Sequence, residues 1–255
     1  MILPSGSVLT NLRLSLYLKK FGSFLKVLAQ NLFATSQTQQ GIYFIPHNSG
    51  FNKVWDNKLG IYIMEKQKRL FVAISLNAEI VQRCIMLRES YPNLSKNRAL
   101  NWTKPQNLHL TLSFLGDTDI SLIPNIIYAL DTSLAQSDNF TLQFKGLGCF
   151  PNVHKPRILW MGIEDHNTLL SVYKRVTNTL KPILPLNRQR FSPHITLARI
   201  KDYSTTDTFT DINTLVNQNL LTDFGKQLAD CVTLYESHLQ PGGPIYKSIH
   251  KTMLK

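Results

Sequence analysis

Two four-residue segments of the sequence repeat one pattern of side chains that can transfer protons. They are His109-Leu110-Thr111-Leu112 and His194-Ile195-Thr196-Leu197. Successive side chains on a β-strand point to opposite faces, so each His shares a face with its Thr while the apolar residues face the core. The repeat therefore predicts two imidazoles and two hydroxyls on strands that a symmetric fold can bring together.

A pair of histidines that face one cleft is suited to acid–base catalysis near neutral pH. One neutral imidazole removes a proton from a nucleophile, and the other, protonated, donates a proton to the leaving oxygen. The hydroxyls of Thr111 and Thr196 can donate hydrogen bonds to phosphoryl oxygens. Because in-line attack on phosphorus needs a base and an acid on opposite sides, the two matching strands predict cleavage of a phosphodiester.

Three other interpretations of these motifs remain open. A lone histidine on a strand is often a packed or surface residue, although repetition with Thr at the same offset disfavours this. A metal site needs three or four ligands, and the one further candidate near either strand is Asp117. A Ser or Cys nucleophile would need a nucleophile-elbow motif, which the sequence lacks. We interpret the remaining histidines as structural or solvated: His47, His154, His166, His238 and His250.

Charge and cysteine content narrow the class of protein. The chain of 255 residues carries a formal net charge of +12. This favours a polyanionic partner, either nucleic acid or an anionic membrane surface, although a protein can be basic without one. Cys84, Cys149 and Cys231 form no CxxC unit, which argues against a disulfide framework and against a cysteine zinc site. We expect reduced, mostly buried thiols in a cytoplasmic protein that uses no cofactor and no metal.

Composition divides the chain into two parts. Residues 1–63 hold 6 Lys and Arg against a single acid, and apolar residues fall near helical spacing within 9–33. Lysines interrupt this stretch before it reaches the length of a membrane span. We expect 1–63 to be a basic N-terminal extension, either disordered or an over-extended reading upstream of a start at Met64. The alternative is a basic amphipathic helix that contacts a membrane.

Residues 64–255 alternate strand and helix patterns in an order typical of an α+β domain. A buried strand is predicted at 70–74, followed by a helix that Asn77 caps. Further helices are expected to begin near Asp119, Asn167 and residue 209, and further strands at 108–115, 140–148, 158–164, 194–200, 229–238 and 244–252. A helix leads into a His-x-Thr strand in each half. We therefore predict two pseudo-symmetric lobes with mostly antiparallel sheets, flanking helices and a groove between the lobes.

Beyond these patterns, residues 64–255 resemble the two-histidine (2H) phosphoesterase superfamily. Within it they are similar to the bacterial and archaeal RNA 2′,3′-cyclic phosphodiesterases, historically called 2′-5′ RNA ligases. The resemblance rests on these segments: RLFVAI at 69–74, NLHLTLSFLG at 107–116, PRILWMG at 156–162, SPHITLAR at 192–199, and LYES at 234–237 with GPIY at 243–246. Residues 1–63 match nothing in that family.

The resemblance implies a LigT-like fold and metal-independent opening of a 2′,3′-cyclic phosphate on an RNA end, leaving a 2′-phosphate. It assigns proton donation to the departing 3′ oxygen to His109, activation of water to His194, and binding of the non-bridging oxygens to Thr111 and Thr196. Arg199, the last residue of the segment SPHITLAR, is a candidate contact to the phosphate or the RNA backbone, or an ordinary basic residue at a strand end. The expected partner is RNA, including tRNA fragments, and the protein is expected to be a monomer.

Two other functions would use the same region. Reversible 2′-5′ joining of tRNA halves is the back reaction at the same site, and a non-catalytic RNA-binding module would need only the basic charge. Aromatic side chains near the motifs can stack an unpaired terminal base or belong to the core. The candidates are Phe71, Phe114, Phe150 and Tyr246.

Overall fold

The strands and helices described below come from a computed structural model. It describes residues 53–56, 61–64, 67–164, 167–186, 191–202 and 204–255, which all lie in the unit Asn52–Lys255. Most of the predicted extension 1–63 lies outside the described residues, so its assignment stays a prediction. An antiparallel hairpin of β1 (Lys53–Asp56) and β2 (Ile61–Met64) covers the end of this extension and reaches Met64, the first residue after it.

An antiparallel sheet of nine strands organises the rest of the described chain. Its members are β3 (Gln67–Ser75), β4 (Leu100–Trp102), β5 (His109–Asp119), β6 (Phe140–Phe150), β7 (Ile158–Glu164), β8 (His194–Ile200), β9 (Asp223–Ala229), β10 (Cys231–His238) and β11 (Ile245–Met253). Their order is β11-β10-β3-β5-β8-β7-β6-β9, and β4 pairs with β8. The predicted α+β class is confirmed, and pairing of β5 with β8 joins the two predicted lobes into one sheet.

The sheet curls into a half-barrel. Strands β9 and β10 lie near opposite ends of the strand order, yet Asp230 alone separates them in the chain. A hydrogen-bonded side chain also joins distant parts of the sheet, because Gln227 on β9 donates to Ser75 O on β3 (2.7 Å) and accepts from Asn77 N (2.8 Å).

Five α-helices occur in the described residues: α1 (Ala78–Glu89), α2 (Pro92–Lys96), α3 (Ile123–Leu134), α4 (Asn167–Leu180) and α5 (Thr206–Gln218). As predicted, Asn77 caps α1, its side chain accepting a hydrogen bond from Ile80 N at 2.9 Å. Asp119 instead caps a 3₁₀ turn that precedes α3. None of the helices in these described ranges has the length and apolar character needed to span a membrane.

The hydrophobic core lies between the helices and one face of the sheet, which we call the core face. Apolar residues of β5 and β8 pack there with apolar residues of α1, α3 and α4. Each fully buried aliphatic side chain stabilises the fold by about 1.5–3 kcal/mol. The three cysteines are free thiols, and burial raises the pKa of Cys84 to about 12 and that of Cys149 to about 11.

One carboxylate joins helix α3 to the edge strand β11. Asp131 accepts hydrogen bonds from His250 Nε2 at 2.8 Å and from Thr252 Oγ1 at 2.7 Å. Partial burial raises the pKa of Asp131, but the hydrogen bonds from Thr252 and His250 outweigh burial and hold this pKa below its usual value. The ionised carboxylate therefore stabilises the fold above its unfolded-state pKa, and this contribution is lost as the pH falls through the folded-state pKa.

We expect Asp131→Asn to lower the free energy of unfolding at pH 7 by about 1 kcal/mol, a modest value because the pair is partly exposed to solvent. The substitution keeps the shape of the side chain and removes its charge. Urea unfolding from pH 7 down to pH 2 measures the effect, and the difference from wild type should shrink as Asp131 itself becomes protonated. Asp138→Asn, at an exposed position in the next loop, is the control. A destabilisation that is equal at all pH values contradicts the account.

Candidate active site

Strands β5 and β8 bring the two predicted motifs together. They pair antiparallel with Leu110 opposite Ile195, and both side chains are fully buried in the core. The His and Thr residues that flank them alternate to the opposite face of the sheet, which we call the site face. The apolar residues of both motifs are therefore buried on the core side, as predicted, and the His and Thr residues lie on the opposite face.

The register of this pairing fixes how the four polar side chains are arranged. Extending it by one residue in each direction sets His109 opposite Thr196 and Thr111 opposite His194. Directly opposed residues in such a pair have Cβ atoms about 4.5–5.5 Å apart, and diagonal neighbours are about 7–8 Å apart. The two imidazoles are thus diagonal neighbours, each facing a hydroxyl, around one point of the sheet.

The same backbone contact orients both imidazoles. His109 Nδ1 lies 2.7 Å from Asn107 O, and His194 Nδ1 lies 2.7 Å from Ser192 O. A carbonyl oxygen only accepts, so each Nδ1 carries the proton and donates it. Each Nε2 is then the nitrogen that can exchange a proton with a bound molecule.

Asn107, the first residue of the segment 107–116, is a positioning residue whose role the sequence patterns did not predict. It ends a 3₁₀ turn (Pro105–Asn107) that Leu108 separates from β5, and its buried side chain donates a hydrogen bond from Nδ2 to Pro244 O at 2.7 Å. This bond ties the carbonyl that orients His109 to the loop before β11. No local pattern indicates it, because the two residues are far apart in the sequence.

Aromatic rings surround the two imidazoles differently. The His109 ring lies 5.0 Å from the Phe71 ring and meets Tyr246 edge-on at 5.3 Å. The His194 ring meets the edge of Phe150 at 5.0 Å. Phe150 in turn lies 5.3 Å from Trp160, a ring on β7 opposite Thr196. The two imidazoles therefore make the same contact to the backbone but have different aromatic neighbours.

Gly148 on β6 leaves the space that the Trp160 ring occupies. A Cβ atom at this position would lie 2.3 Å from the indole. Any larger residue would therefore displace the ring that supports Phe150 beside His194. This contact is also beyond what sequence spacing indicates, because it joins neighbouring strands β6 and β7.

The site has a positive electrostatic environment. Burial lowers the pKa of His109; the hydrogen bond to Asn107 opposes this shift, and nearby His194 and Arg199 add to it. Burial raises the pKa of Tyr246, while Arg199 and Arg69 act in the opposite direction. In the described ranges neither arginine forms an ion pair. Two cations that form no ion pair within these ranges, beside a histidine pair, favour an anionic ligand.

Arg199 is close enough to His109 to lower the pKa of that imidazole, and its role as a phosphate contact stays a prediction. Asp117 is not grouped with the histidines: it lies eight positions beyond His109 on β5, roughly 25 Å along an extended strand. No cluster of three His, Cys, Asp or Glu side chains suited to a metal ion occurs in the part of the chain that the structure describes. A cavity of about 220 Å³ opens beside His109, between Gln106 and Tyr235.

Comparison with known proteins identifies similar sequences. The family model of LigT-like phosphoesterases matches residues 74–160. A relative from Aquifex aeolicus, named RNA 2′,3′-cyclic phosphodiesterase, is 36% identical over 156 residues, which cover 60% of this chain and 81% of the relative. A relative of the same name from Thermotoga maritima is 29% identical over 187 residues, which cover 72% of this chain and 94% of the relative.

Solved structures share the fold. The protein TT0787 of Thermus thermophilus superimposes with a TM-score of 0.60 at 26% identity, covering 73% of this chain and 97% of that protein. E. coli LigT in complex with 3′-AMP gives a TM-score of 0.59 at 23% identity, covering 74% of this chain and 99% of LigT. The curled antiparallel sheet with its flanking helices is therefore a LigT-like fold.

We expect the His109 imidazole to titrate at a lower pH than a free histidine peptide in the same buffer, because burial and neighbouring cations disfavour its charged form. Arg199→Gln removes one of these cations and should raise the pKa of His109. Long-range ¹H–¹⁵N spectra across a pH series measure the titration of His109 in wild type and in Arg199→Gln. Lys174→Gln, at an exposed position on α4, also removes one positive charge and is the control. An unchanged His109 titration in Arg199→Gln, or an equal change in the control, contradicts the account.

Proposed function

As the chain belongs to the LigT-like phosphoesterases, we propose that it hydrolyses the 2′,3′-cyclic phosphate at the 3′ end of RNA to a 2′-phosphomonoester, without a metal ion. The observation that carries the proposal is the pair of like-oriented imidazoles on adjacent strands, each with Nε2 available and each facing a hydroxyl. The names of the Aquifex and Thermotoga relatives support the same substrate.

In the proposed reaction each imidazole carries out one proton transfer. His194 removes a proton from a water molecule, whose oxygen forms a bond to phosphorus. The bond between phosphorus and the 3′ oxygen breaks on the opposite side, and His109 protonates this oxygen through Nε2. A 2′-phosphate and a 3′-hydroxyl result, and exchange of protons with solvent restores both rings.

Hydroxyls and a cation stabilise the charge that develops on the phosphate. Thr111 and Thr196 donate hydrogen bonds to the two non-bridging oxygens, because each lies opposite the imidazole of the other strand. Arg199 attracts the same oxygens at longer range, as its effect on His109 indicates. Donors that are already oriented need no rearrangement in the transition state, which is the main source of such catalysis.

The protonation state of His109 depends on the substrate in this proposal. In the free protein burial lowers its pKa, which favours the neutral ring, whereas a proton donor has to start charged. A cyclic phosphate carries one negative charge and favours the imidazolium of a ring that it touches. His109 therefore takes up its proton as the substrate binds, and the pair becomes one charged and one neutral imidazole.

We expect His109→Ala and His194→Ala each to lower kcat for an RNA ending in a cyclic phosphate by about 100-fold or more, because each removes one proton transfer. His154→Ala, at an exposed position in the loop after β6, is the matched control and should keep full activity. Turnover should also persist in excess EDTA. Unchanged rates in both variants would reject the assigned site, and complete loss of turnover in the chelator would reject metal independence.

A substrate with a better leaving group separates the two roles. Replacing the bridging 3′ oxygen by sulfur gives a thiolate that leaves without a proton donor. We expect this substrate to restore much of the activity of His109→Ala and none of the activity of His194→Ala, since activation of water is still required. Rescue of His194→Ala alone would reverse the two assignments.

The two alternative functions make different predictions for the same preparations. Joining of tRNA halves through a 2′-5′ bond runs the same proton transfers backwards, so product ratios on cleaved tRNA measure how far the protein favours hydrolysis. A binding module would retain RNA affinity and a steep salt dependence in the double histidine variant, and wild-type protein would have no turnover.

A further inference from the structure

The hydroxyl of Tyr246 is a hydrogen-bond donor beside His109 that the proposed reaction does not use. Tyr246 is the second residue of β11, and its ring meets the His109 ring edge-on at 5.3 Å and the Phe71 ring at 4.8 Å. Within the described residues this hydroxyl forms no hydrogen bond. The neighbouring hydroxyl of Tyr235 is by contrast hydrogen-bonded to Ser75 Oγ at 2.6 Å. Tyr246 therefore has a free donor at the site.

Two arginines indicate where this hydroxyl lies. Arg69 on β3 and Arg199 on β8 both act electrostatically on Tyr246. Strand β5 lies between β3 and β8 in the sheet. Because the interaction between charges falls with distance, a group that both arginines influence lies above β5. This is the strand that carries His109 and Thr111, so the phenol lies over the first motif.

Asn107 holds both the phenol and the imidazole in place. Pro244, two residues before Tyr246, accepts a hydrogen bond from Asn107 Nδ2 at 2.7 Å. The backbone oxygen of Asn107 lies 2.7 Å from Nδ1 of His109 and orients that ring. The tyrosine and the histidine are therefore fixed relative to each other by one residue.

The phenol is suited to donate a hydrogen bond without losing its proton. Burial raises the pKa of Tyr246 above the ordinary value of about 10. Near neutral pH the hydroxyl therefore stays protonated. Among the described rings, the one that meets His194 is Phe150, which carries no hydroxyl. The phenol thus distinguishes the His109 side of the site from the His194 side.

One oxygen atom on phosphorus has no partner in the proposed reaction. In-line transfer places five oxygens around phosphorus, three of them equatorial. Water lies at His194, the 3′ oxygen at His109, and the two non-bridging oxygens at Thr111 and Thr196. The fifth is the 2′ oxygen, which stays bonded to phosphorus. It is attached to the ribose carbon next to the one that bears the 3′ oxygen, so it lies on the His109 side.

We propose that Tyr246 donates a hydrogen bond to the 2′ oxygen of the cyclic phosphate and thereby selects which ester bond breaks. The contact directs the 3′ oxygen towards Nε2 of His109. The bond between phosphorus and the 3′ oxygen then breaks, and the bond to the 2′ oxygen persists. The two motifs alone give no such choice, because exchanging the two ribose oxygens leaves both proton transfers intact. This inference rests on the proposed function and adds the origin of its selectivity.

The test is the product that Tyr246→Phe forms from adenosine 2′,3′-cyclic phosphate. Chromatography separates the 2′-phosphate from the 3′-phosphate, and the uncatalysed reaction is subtracted. We expect wild type to form the 2′-phosphate and Tyr246→Phe to form both, with kcat/KM lowered by about 3- to 10-fold, the usual loss for one hydrogen bond. The substitution keeps the ring beside His109, so the His109 titration in long-range ¹H–¹⁵N spectra should match wild type.

Two substitutions of the same kind are matched controls. Tyr128→Phe removes the hydroxyl of a tyrosine that is 74% exposed on α3, and it should keep the rate and the product of wild type. Tyr235→Phe removes the hydroxyl that is bonded to Ser75, and it should still form the 2′-phosphate alone. Mixed products in Tyr246→Phe alone then report the loss of this one contact.

Each outcome bears on one proposal. Formation of the 2′-phosphate alone by Tyr246→Phe overturns the inference and leaves the proposed function intact. Mixed products from Tyr235→Phe also overturn it, because selection would not be specific to Tyr246. A shifted His109 titration or complete loss of turnover in Tyr246→Phe contradicts it as well, since the phenol would then do more than select a bond. Failure of wild type to hydrolyse the substrate, or its formation of the 3′-phosphate, overturns the proposed function itself.

Discussion

The site depends on the pairing of β5 with β8 at one position, Leu110 opposite Ile195. Both side chains are fully buried, so slipping either strand by one residue would send the apolar residues of that strand to solvent and the polar ones into the core. The cost of such a slip is the burial energy of several aliphatic side chains, at about 1.5–3 kcal/mol each. Hydrophobic packing on the core face thereby fixes the arrangement of histidines and threonines on the site face.

The two halves of the site share one backbone contact to the imidazole but differ in the aromatic side chains around it. Both imidazoles donate from Nδ1 to the carbonyl two residues earlier, so the two halves present the same nitrogen at the same kind of position. The aromatic neighbours differ, because Phe71 and Tyr246 lie beside His109 whereas Phe150 lies beside His194. This difference makes the two nitrogens chemically distinct, and a reaction that needs one base and one acid requires such a distinction.

Sequence patterns predicted the parts of the molecule that depend on local chemistry. The faces of the two motifs follow from strand alternation, and the start of α1 follows from the cap at Asn77. Strand β9 (Asp223–Ala229) was not predicted, because it has few apolar residues and the buried Gln227 is polar. The exposure of Phe114 could not be predicted from the sequence either, because it results from a register shift in the pairing of β3 with β5. Long-range contacts such as that of Asn107 with Pro244 leave no periodic trace in the sequence.

The central claim is that both imidazoles act on one phosphorus atom. A crystal structure of the protein with adenosine 2′-phosphate, the type of product that the reaction leaves, tests it most directly. The account predicts that Nε2 of His109 and Nε2 of His194 each lie about 2.6–3.2 Å from oxygen atoms of the bound nucleotide, on opposite sides of the same phosphate. A phosphate that contacts a single imidazole, or that binds away from both, would contradict it.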